Sequence, residues 1–294
     1  MKIERVGVVG CGLMGSGIAQ VAAQAGMHVH VHEVNQQVLE KGLGRIRKFL
    51  EGGVAKGKMS QDDADAIMSR ITGVTQLEAL AASDLVLEAG TANLAVKQHV
   101  FSTLDKACPK HTILSSNTSS LSITEMAAFT NRPDKFLGLH FFNPVPLMKL
   151  VEVVKTVRSS PETVEAGMAF GKAIGKRPIL AKDSPGFVVN LLLVPYILDA
   201  IRALEKGVAT VTDIDTAMQL GTGHPMGPFT LLDFVGLDTT YYIAEIMFDE
   251  FKQPQYSAPT LLKRMVKAGY HGRKTGKGFY DYSQDPPVPT EGLV

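Results

Sequence analysis

The fold is decided by the stretch Val6-Gly7-Val8-Val9-Gly10-Cys11-Gly12-Leu13-Met14-Gly15-Ser16-Gly17, in which an apolar run leads directly into Gly-x-Gly-x-x-Gly. Gly10 permits a tight turn, Gly12 leaves the backbone open to a pyrophosphate, and Gly15 lets the next helix lie close to the strand. The unpaired amides at the start of that helix, with its positive dipole end, face the phosphates. The same glycines also suit a strand–helix turn without a ligand, so their context decides between the two interpretations.

The context favours a dinucleotide. A second apolar strand, residues 29–31, ends at Glu33, about 20 residues beyond the glycines, where a carboxylate accepts hydrogen bonds from an adenosine ribose. Strand, glycines, helix, second strand and acid therefore stand in the order of a dinucleotide-binding unit. Glu33 repels a 2′-phosphate, and the segment Val34-Asn35-Gln36-Gln37 has no arginine or lysine to bind one. The sequence predicts NAD as the cofactor rather than NADP.

Length and composition narrow the class of protein. A chain of 294 residues fits two domains, and 45% hydrophobic with 20% charged residues is an ordinary globular balance. The net charge of +1 gives no bias toward nucleic acid or an anionic membrane. Cys11 and Cys108 have no paired spacing, and the first five residues lead straight into a strand. The most apolar stretch, 186–198, is too short to span a bilayer. We therefore expect a soluble, reduced, cytoplasmic protein without a signal peptide.

Short strands and helices alternate as far as residue 184, which predicts an α/β fold with a mostly parallel, doubly wound sheet of the Rossmann type. Beyond Ser184-Pro185-Gly186 the pattern is helical. We predict an NAD-binding domain over 1–184 and a smaller all-α domain over 185–294, with the active site in the cleft toward the helical half. The further strands are predicted over 71–72, 84–88, 112–115, 136–142 and 150–154.

The segment after Glu33 predicts a basic helical arm. Apolar residues from Val38 to Leu50 recur at helical spacing, and the helix is expected to end at Gly52-Gly53. Ser60-Gln61-Asp62-Asp63 has the pattern of a capping box that opens another helix. The basic side chains of the arm suit phosphate groups but equally suit a solvated helix face. They are Arg45, Arg47, Lys48, Lys56 and Lys58.

His140 is the candidate for proton transfer. It lies at the end of a predicted strand among apolar residues, and Glu152 lies on the adjacent predicted strand. A carboxylate bound to one ring nitrogen fixes the tautomer and leaves the other nitrogen to exchange a proton. A buried histidine satisfied by its neighbours, without a catalytic role, is the alternative.

Three more histidines alternate along the second strand. His28, His30 and His32 share one face, where zinc is conceivable. This strand lies inside the nucleotide-binding sheet, one face of which must pack on helices. We therefore predict no metal.

Six blocks follow one another along the chain, and together they resemble the L-3-hydroxyacyl-CoA dehydrogenase family and, within it, the short bacterial 3-hydroxybutyryl-CoA dehydrogenases. The resemblance covers essentially the whole chain and is far more specific than the glycines alone. The blocks are the glycine turn, Ser115 to Leu121, Leu139 to Val154, Pro185 to Asn190, His224 to Pro228 and Gly272 to Tyr280.

The resemblance implies reversible oxidation of a 3-hydroxyacyl-CoA by NAD and a homodimer formed through the helical domain. It implies that His140 is the catalytic base and Glu152 its partner. Ser119 and Asn190 would be the polar groups at the reacting oxygen, and Ser119 would also contact substrate. Lys56 is a candidate for binding the coenzyme A phosphates. The residues implied to hold NAD are Gly10, Gly12, Leu13, Met14, Gly15, Glu33, Lys97, Ser119, Asn143 and Lys274.

Two positions depart from the family pattern. Ala92 stands where a glutamate that contacts the cofactor is usual, and Leu191 stands where arginine is common. Neither change involves His140 or Glu152. Two other functions stay open at this point: an NAD-dependent dehydrogenase of a hydroxy or sugar acid without coenzyme A, and a non-catalytic NAD-binding protein.

Overall fold

The computed structural model describes residues 2–293, which divide into two compact units between Ser184 and Pro185. The first unit is built on one eight-stranded sheet in the order β3-β2-β1-β4-β5-β6-β7-β8. Chain order reverses between β1 and β4, so the predicted doubly wound sheet is confirmed. Its strands are β1 (Arg5–Val9), β2 (His28–His32), β3 (Ile71–Val74), β4 (Leu85–Glu88), β5 (Ile113–Ser116), β6 (Phe136–Phe141), β7 (Leu150–Lys155) and β8 (Arg177–Lys182).

The first six strands run parallel, and β7 runs antiparallel to β6. Only residues 142–149 separate β6 from β7, and so short a connection cannot make the crossover that a parallel pair requires. The strand β8 then pairs parallel to β7. The sequence pattern did not predict β8, because its residues lack a continuous apolar run.

Helices pack against the sheet of the first unit, and side chains cap several of them. The predicted capping box is confirmed: Asp63 N donates to Ser60 Oγ at 3.0 Å, and Ser60 N donates to the Asp63 carboxylate at 3.4 Å. These helices are α1 (Leu13–Gln24), α2 (Gln36–Ala55), α3 (Gln61–Ser69), α4 (Leu94–Ala107), α5 (Ile123–Ala127) and α6 (Pro161–Ala173).

The expected end of α2 at Gly52-Gly53 is wrong. The helix continues to Ala55, and the left-handed residue that follows its end is Gly57, at φ 64°. Gly57 N and Lys58 N donate to the carbonyls of Val54 and Gly53. A glycine ends a helix when its backbone leaves the helical region, and here only Gly57 does so.

The second unit is helical, as predicted, and ends in a short antiparallel hairpin that was not predicted. Its first helix begins at Val189, and the two residues Gly186 and Phe187 shortly before it both have positive φ. The core includes Phe229, Leu237 and Phe279. The elements are α7 (Val189–Glu205), α8 (Val211–Thr222), α9 (Pro228–Val235), α10 (Leu237–Phe251), α11 (Thr260–Lys267), β9 (Tyr280–Asp281) and β10 (Val288–Pro289).

Within residues 2–293, none of the helices combines the length and the apolar composition that crossing a membrane requires.

Candidate active site

Each glycine of the nucleotide motif has a distinct environment. Gly10 has φ 93°, and a Cβ there would lie 2.7 Å from the Cα of Gly90. At Gly15 a Cβ would lie 1.8 Å from the carbonyl oxygen of Gly10. A Cβ at Gly12, in contrast, would meet no described atom within 4 Å. The turn and the close packing therefore require Gly10 and Gly15, whereas Gly12 keeps a space beside the backbone open.

Polar contacts from β2 and α2 fix the glycine turn. Glu33 Oε1 accepts the backbone N–H of Cys11 at 2.7 Å, and Oε2 accepts the N–H of Val34 at 3.2 Å. Arg45 Nη1 binds Cys11 as well, through its carbonyl, to which it donates at 3.1 Å. Gly42 packs so close that a Cβ there would lie 2.3 Å from Cys11 Sγ. The carboxylate of Glu33 is thus held directly beside the turn.

These residues fit a dinucleotide. Among the described residues no side chain caps the N-terminus of α1, whose N-cap is Gly12. Its first amides are therefore suited to bind a pyrophosphate, and the helix dipole adds to the attraction. The fixed carboxylate of Glu33 is suited to accept hydrogen bonds from ribose hydroxyls. Leu13 and Met14 belong to the first turn of this helix, so the predicted cofactor residues Gly10, Gly12, Leu13, Met14 and Gly15 all lie in the glycine turn or at the start of α1.

Lys97 has a structural environment that the sequence did not indicate. The residue is 2% exposed, and its ammonium pairs with the carboxylate of Glu88. Ser116 Oγ and Gly90 N donate to that carboxylate, each at 2.8 Å. Burial lowers the pKa of Lys97, while the charge of Glu88 acts in the opposite direction. The predicted contact of Lys97 with the cofactor stays a prediction. Ala92, which departs from the family pattern, lies exposed in the loop that precedes α4.

The sheet brings His140 and Glu152 together. They occupy directly paired positions on the antiparallel strands β6 and β7. His140 Nδ1 lies 2.6 Å from Glu152 Oε2, and the two residues are 6% and 0% exposed. A buried carboxylate at this distance orients the imidazole ring and fixes which ring nitrogen faces it. An imidazole held in this way is suited to act as a general base.

The loops that follow β5 and β6 lie at the same edge of the sheet as the glycine turn, because the carboxyl ends of parallel strands lie side by side. Asn117 Oδ1 accepts the backbone N–H of Phe141 at 2.9 Å, which links the loop after β5 to β6. Ser119 lies half-buried in that loop, and Asn143 lies in the connection between β6 and β7. Their predicted roles toward substrate and cofactor stay predictions.

The second unit holds two further predicted residues. Asn190 lies in the first turn of α7. Lys274 Nζ donates to Asp238 Oδ2 at 2.7 Å. Asp233, 1% exposed, accepts the N–H groups of Phe279 and Tyr280 at 2.8 Å each, and so anchors the end of the block that carries Lys274. The assignments of Asn190 to the reacting oxygen and Lys274 to the cofactor stay predictions.

The remaining candidates lie elsewhere in the first unit. Lys56 is the exposed C-cap residue of α2. Along β2, His28 is exposed and His32 is 8% exposed, and burial lowers the pKa of His32. In the part of the chain that the structure describes, no group of three or more His, Cys, Asp or Glu side chains is arranged to hold a metal ion.

Sequence reasoning missed the supporting residues of this site. Glu88, Ser116 and Arg45 contact predicted site residues or the glycine turn. Glu88 and Ser116 are the last residues of the adjacent strands β4 and β5. Their position at the carboxyl ends of predicted strands was the signal in the sequence that could have identified them. For Arg45 there was no signal, because the sequence of a helix does not distinguish an arginine that contacts the glycine turn from one exposed to solvent.

Two family models match the chain and together span most of it. The model for the NAD binding domain of 3-hydroxyacyl-CoA dehydrogenase matches residues 5–184. The model for the C-terminal domain of 3-hydroxyacyl-CoA dehydrogenase matches residues 186–282. Both matches follow the order of the two units.

Full-length relatives point the same way. The chain is 46% identical over 284 residues to a probable 3-hydroxybutyryl-CoA dehydrogenase of Bacillus subtilis, and the matched region covers 97% of this chain and 99% of that protein. It is 48% identical over 282 residues to a 3-hydroxybutyryl-CoA dehydrogenase of Mycobacterium tuberculosis, which covers 95% and 99%. The crystal structure of (S)-3-hydroxybutyryl-CoA dehydrogenase from Ralstonia eutropha matches with a TM-score of 0.93 and 43% identity, over 96% of this chain and 100% of that one.

Proposed function

The chain belongs to the 3-hydroxyacyl-CoA dehydrogenase family of NAD-dependent oxidoreductases, and we propose that it interconverts 3-hydroxybutyryl-CoA and acetoacetyl-CoA. The observation that carries this proposal is the buried contact of 2.6 Å between His140 Nδ1 and Glu152 Oε2. The relatives from Bacillus subtilis and Mycobacterium tuberculosis are named as 3-hydroxybutyryl-CoA dehydrogenases, the first as a probable one, and this supports the short acyl chain.

In this proposal His140 moves the proton. With Nδ1 held by Glu152, the other ring nitrogen, Nε2, takes the hydroxyl proton of the 3-hydroxyacyl group during oxidation. The imidazolium that forms beside the carboxylate of Glu152 returns the proton during reduction. NAD, when bound by the glycine turn and Glu33, supplies the hydride chemistry at the carbon that bears this hydroxyl group. The buried position of the dyad keeps water from competing for the proton.

Acyl chain length is tested directly by steady-state kinetics. The purified protein should reduce acetoacetyl-CoA with NADH at a higher kcat/KM than 3-ketoacyl-CoA substrates of eight or sixteen carbons. A higher kcat/KM for the long chains would reassign the substrate within the same family and leave the proton-transfer role of His140 in place.

The enzyme is expected to prefer NADH to NADPH by about 10²-fold in kcat/KM, because placing like charges together costs several kcal/mol. Both oxygens of Glu33 are fixed by backbone N–H groups, so the carboxylate cannot easily turn away from a 2′-phosphate. Kinetics with the two cofactors give the ratio, and Glu33→Gln should reduce it. Comparable efficiencies in the wild-type enzyme would contradict the assignment of Glu33.

Lys56 is proposed to attract the coenzyme A phosphates from the exposed end of α2. Reversal of its charge in Lys56→Glu is expected to raise KM for acetoacetyl-CoA about 2–5-fold, as for an exposed ion pair. The KM for NADH should change little, and the effect should shrink at high salt. Lys172→Glu, an equivalent reversal on α6, is the control. Equal effects on both KM values, or none on either, would leave the arm as a solvated helix face.

The family resemblance also supports a homodimer formed through the helical unit. Large apolar side chains are exposed there, including Leu192 at 70% and Leu220 at 83%. Light scattering of the purified protein should give the mass of two chains, and the mass of one chain would contradict the proposal. A cytoplasmic location stays a prediction.

A further inference from the structure

The connection between the two catalytic strands is pinned by a side chain from outside them. Residues 142–149, called here the β6–β7 connector, join the strand that bears His140 to the strand that bears Glu152, and they carry Asn143. Lys176, between α6 and β8, donates from Nζ to the carbonyl of Val145 at 2.5 Å and to that of Met148 at 2.8 Å. One ammonium thus bridges two carbonyls of a single loop.

The base of Lys176 is itself held in place. Its backbone N–H donates to the Gly171 carbonyl at 2.9 Å, and Arg177 N donates to the Lys149 carbonyl at 2.7 Å. Gly171 lies so close to β7 that a Cβ there would be 2.9 Å from Val151 Cγ1. The clamp therefore starts from a segment that is fixed on the catalytic sheet.

The connector is also packed against the nucleotide-binding helix. Val145 is 2% exposed, and a Cβ at Gly17 of α1 would lie 2.8 Å from Val145 Cβ. With α1 on one side and Lys176 on the other, the connector has little freedom to shift. Partial burial lowers the pKa of Lys176, because removal from water disfavours the charged ammonium.

We propose that Lys176 is a positioning residue for the cofactor: it clamps the Val145 and Met148 carbonyls and so holds Asn143 where it can contact the dinucleotide. This inference rests on the proposed NAD-dependent function, because it uses the contact with NAD that the family resemblance implies for Asn143. Removing the clamp should affect cofactor binding and not proton transfer, because the backbone hydrogen bonds between β6 and β7 keep His140 and Glu152 paired.

Lys176→Met keeps the length of the side chain and removes its donors. It is expected to raise the Kd for NADH, measured by fluorescence without substrate, about tenfold. The KM for NADH should rise by the same factor, because a tenfold change corresponds to the loss of roughly one polar contact. The kcat should fall less than about threefold, because the contact acts equally in ground and transition states. Lys176→Arg, whose fork of donors can reach two carbonyls, should restore most of the affinity. Lys172→Met, an exposed lysine in the last turn of the preceding helix α6, is the matched control.

A double-mutant cycle identifies the route. If Lys176 acts through Asn143, adding Lys176→Met to Asn143→Ala should change the Kd for NADH less than about twofold further. A tenfold further loss in that background would overturn the proposal, as would an unchanged Kd in the single variant. A lower melting temperature with an unchanged Kd would show a purely structural clamp.

Lys176→Gln, with a shorter neutral side chain, serves the same purpose if Lys176→Met does not fold. Because Kd is measured without acyl-CoA, a wild-type enzyme that binds NADH but ignores acetoacetyl-CoA would refute the proposed substrate and leave this test intact.

Discussion

Replacing His140 with glutamine is expected to lower kcat for acetoacetyl-CoA reduction by about 10²–10⁴-fold, the usual contribution of a placed acid–base group. NADH should bind with nearly unchanged Kd, because the imidazole is proposed to act on the substrate. Glutamine keeps the polarity and approximate size at a position that is 6% exposed, so the fold should survive. Stopped-flow measurement of NADH oxidation gives the rate, and fluorescence titration gives the Kd.

His99→Gln, an exposed histidine on α4, is the matched control and should leave both values unchanged. Glu152→Gln should also slow turnover, because it removes the negative charge that stabilises the imidazolium 2.6 Å away. If His140→Gln retained wild-type kcat, the general-base role would have to be abandoned.

Lys97→Met is expected to destabilise the protein by about 3–5 kcal/mol, the usual cost of leaving the partner of a buried ion pair unpaired. The carboxylate of Glu88 would stay in the interior with Ser116 Oγ and two backbone N–H groups as its donors, but without a countercharge. For a unit of this size the melting temperature should fall by roughly 6–20 °C. Thermal unfolding monitored by circular dichroism measures the change.

Lys106→Met, an exposed lysine in the last turn of the same helix, is the control and should shift the melting temperature little. Combining Lys97→Met with Glu88→Gln should recover part of the loss, because it removes the unpaired charge. An unchanged melting temperature in Lys97→Met would mean that Lys97 serves the cofactor and not the fold.

Much of the first unit could be predicted because local rules and tertiary packing agree there. Gly10 and Gly15 have the turn and close approach that the motif requires, and Ser60 with Asp63 forms the predicted capping box. His140 and Glu152 were predicted on adjacent strands. Twelve residues apart with a short connection, they are paired by the antiparallel register of β6 and β7.

The rest depends on packing that a sequence does not display. Gly52 and Gly53 predicted a helix end, yet only Gly57 adopts the left-handed conformation, and the helix continues to Ala55. The burial of Lys97 and the clamp of Lys176 arise because distant segments bring carboxylate or carbonyl oxygens to a lysine. A lysine at either position reads in the sequence as a solvated residue.

The most direct test of the central claim is the wild-type enzyme with NADH and two substrates, acetoacetyl-CoA and free acetoacetate. We predict rapid oxidation of one NADH for each acetoacetyl-CoA, with 3-hydroxybutyryl-CoA as the product, and negligible oxidation with acetoacetate. Equal or faster turnover of acetoacetate would point to a hydroxy-acid dehydrogenase without coenzyme A. Tight NADH binding with no turnover of either substrate would contradict the proposed reaction altogether.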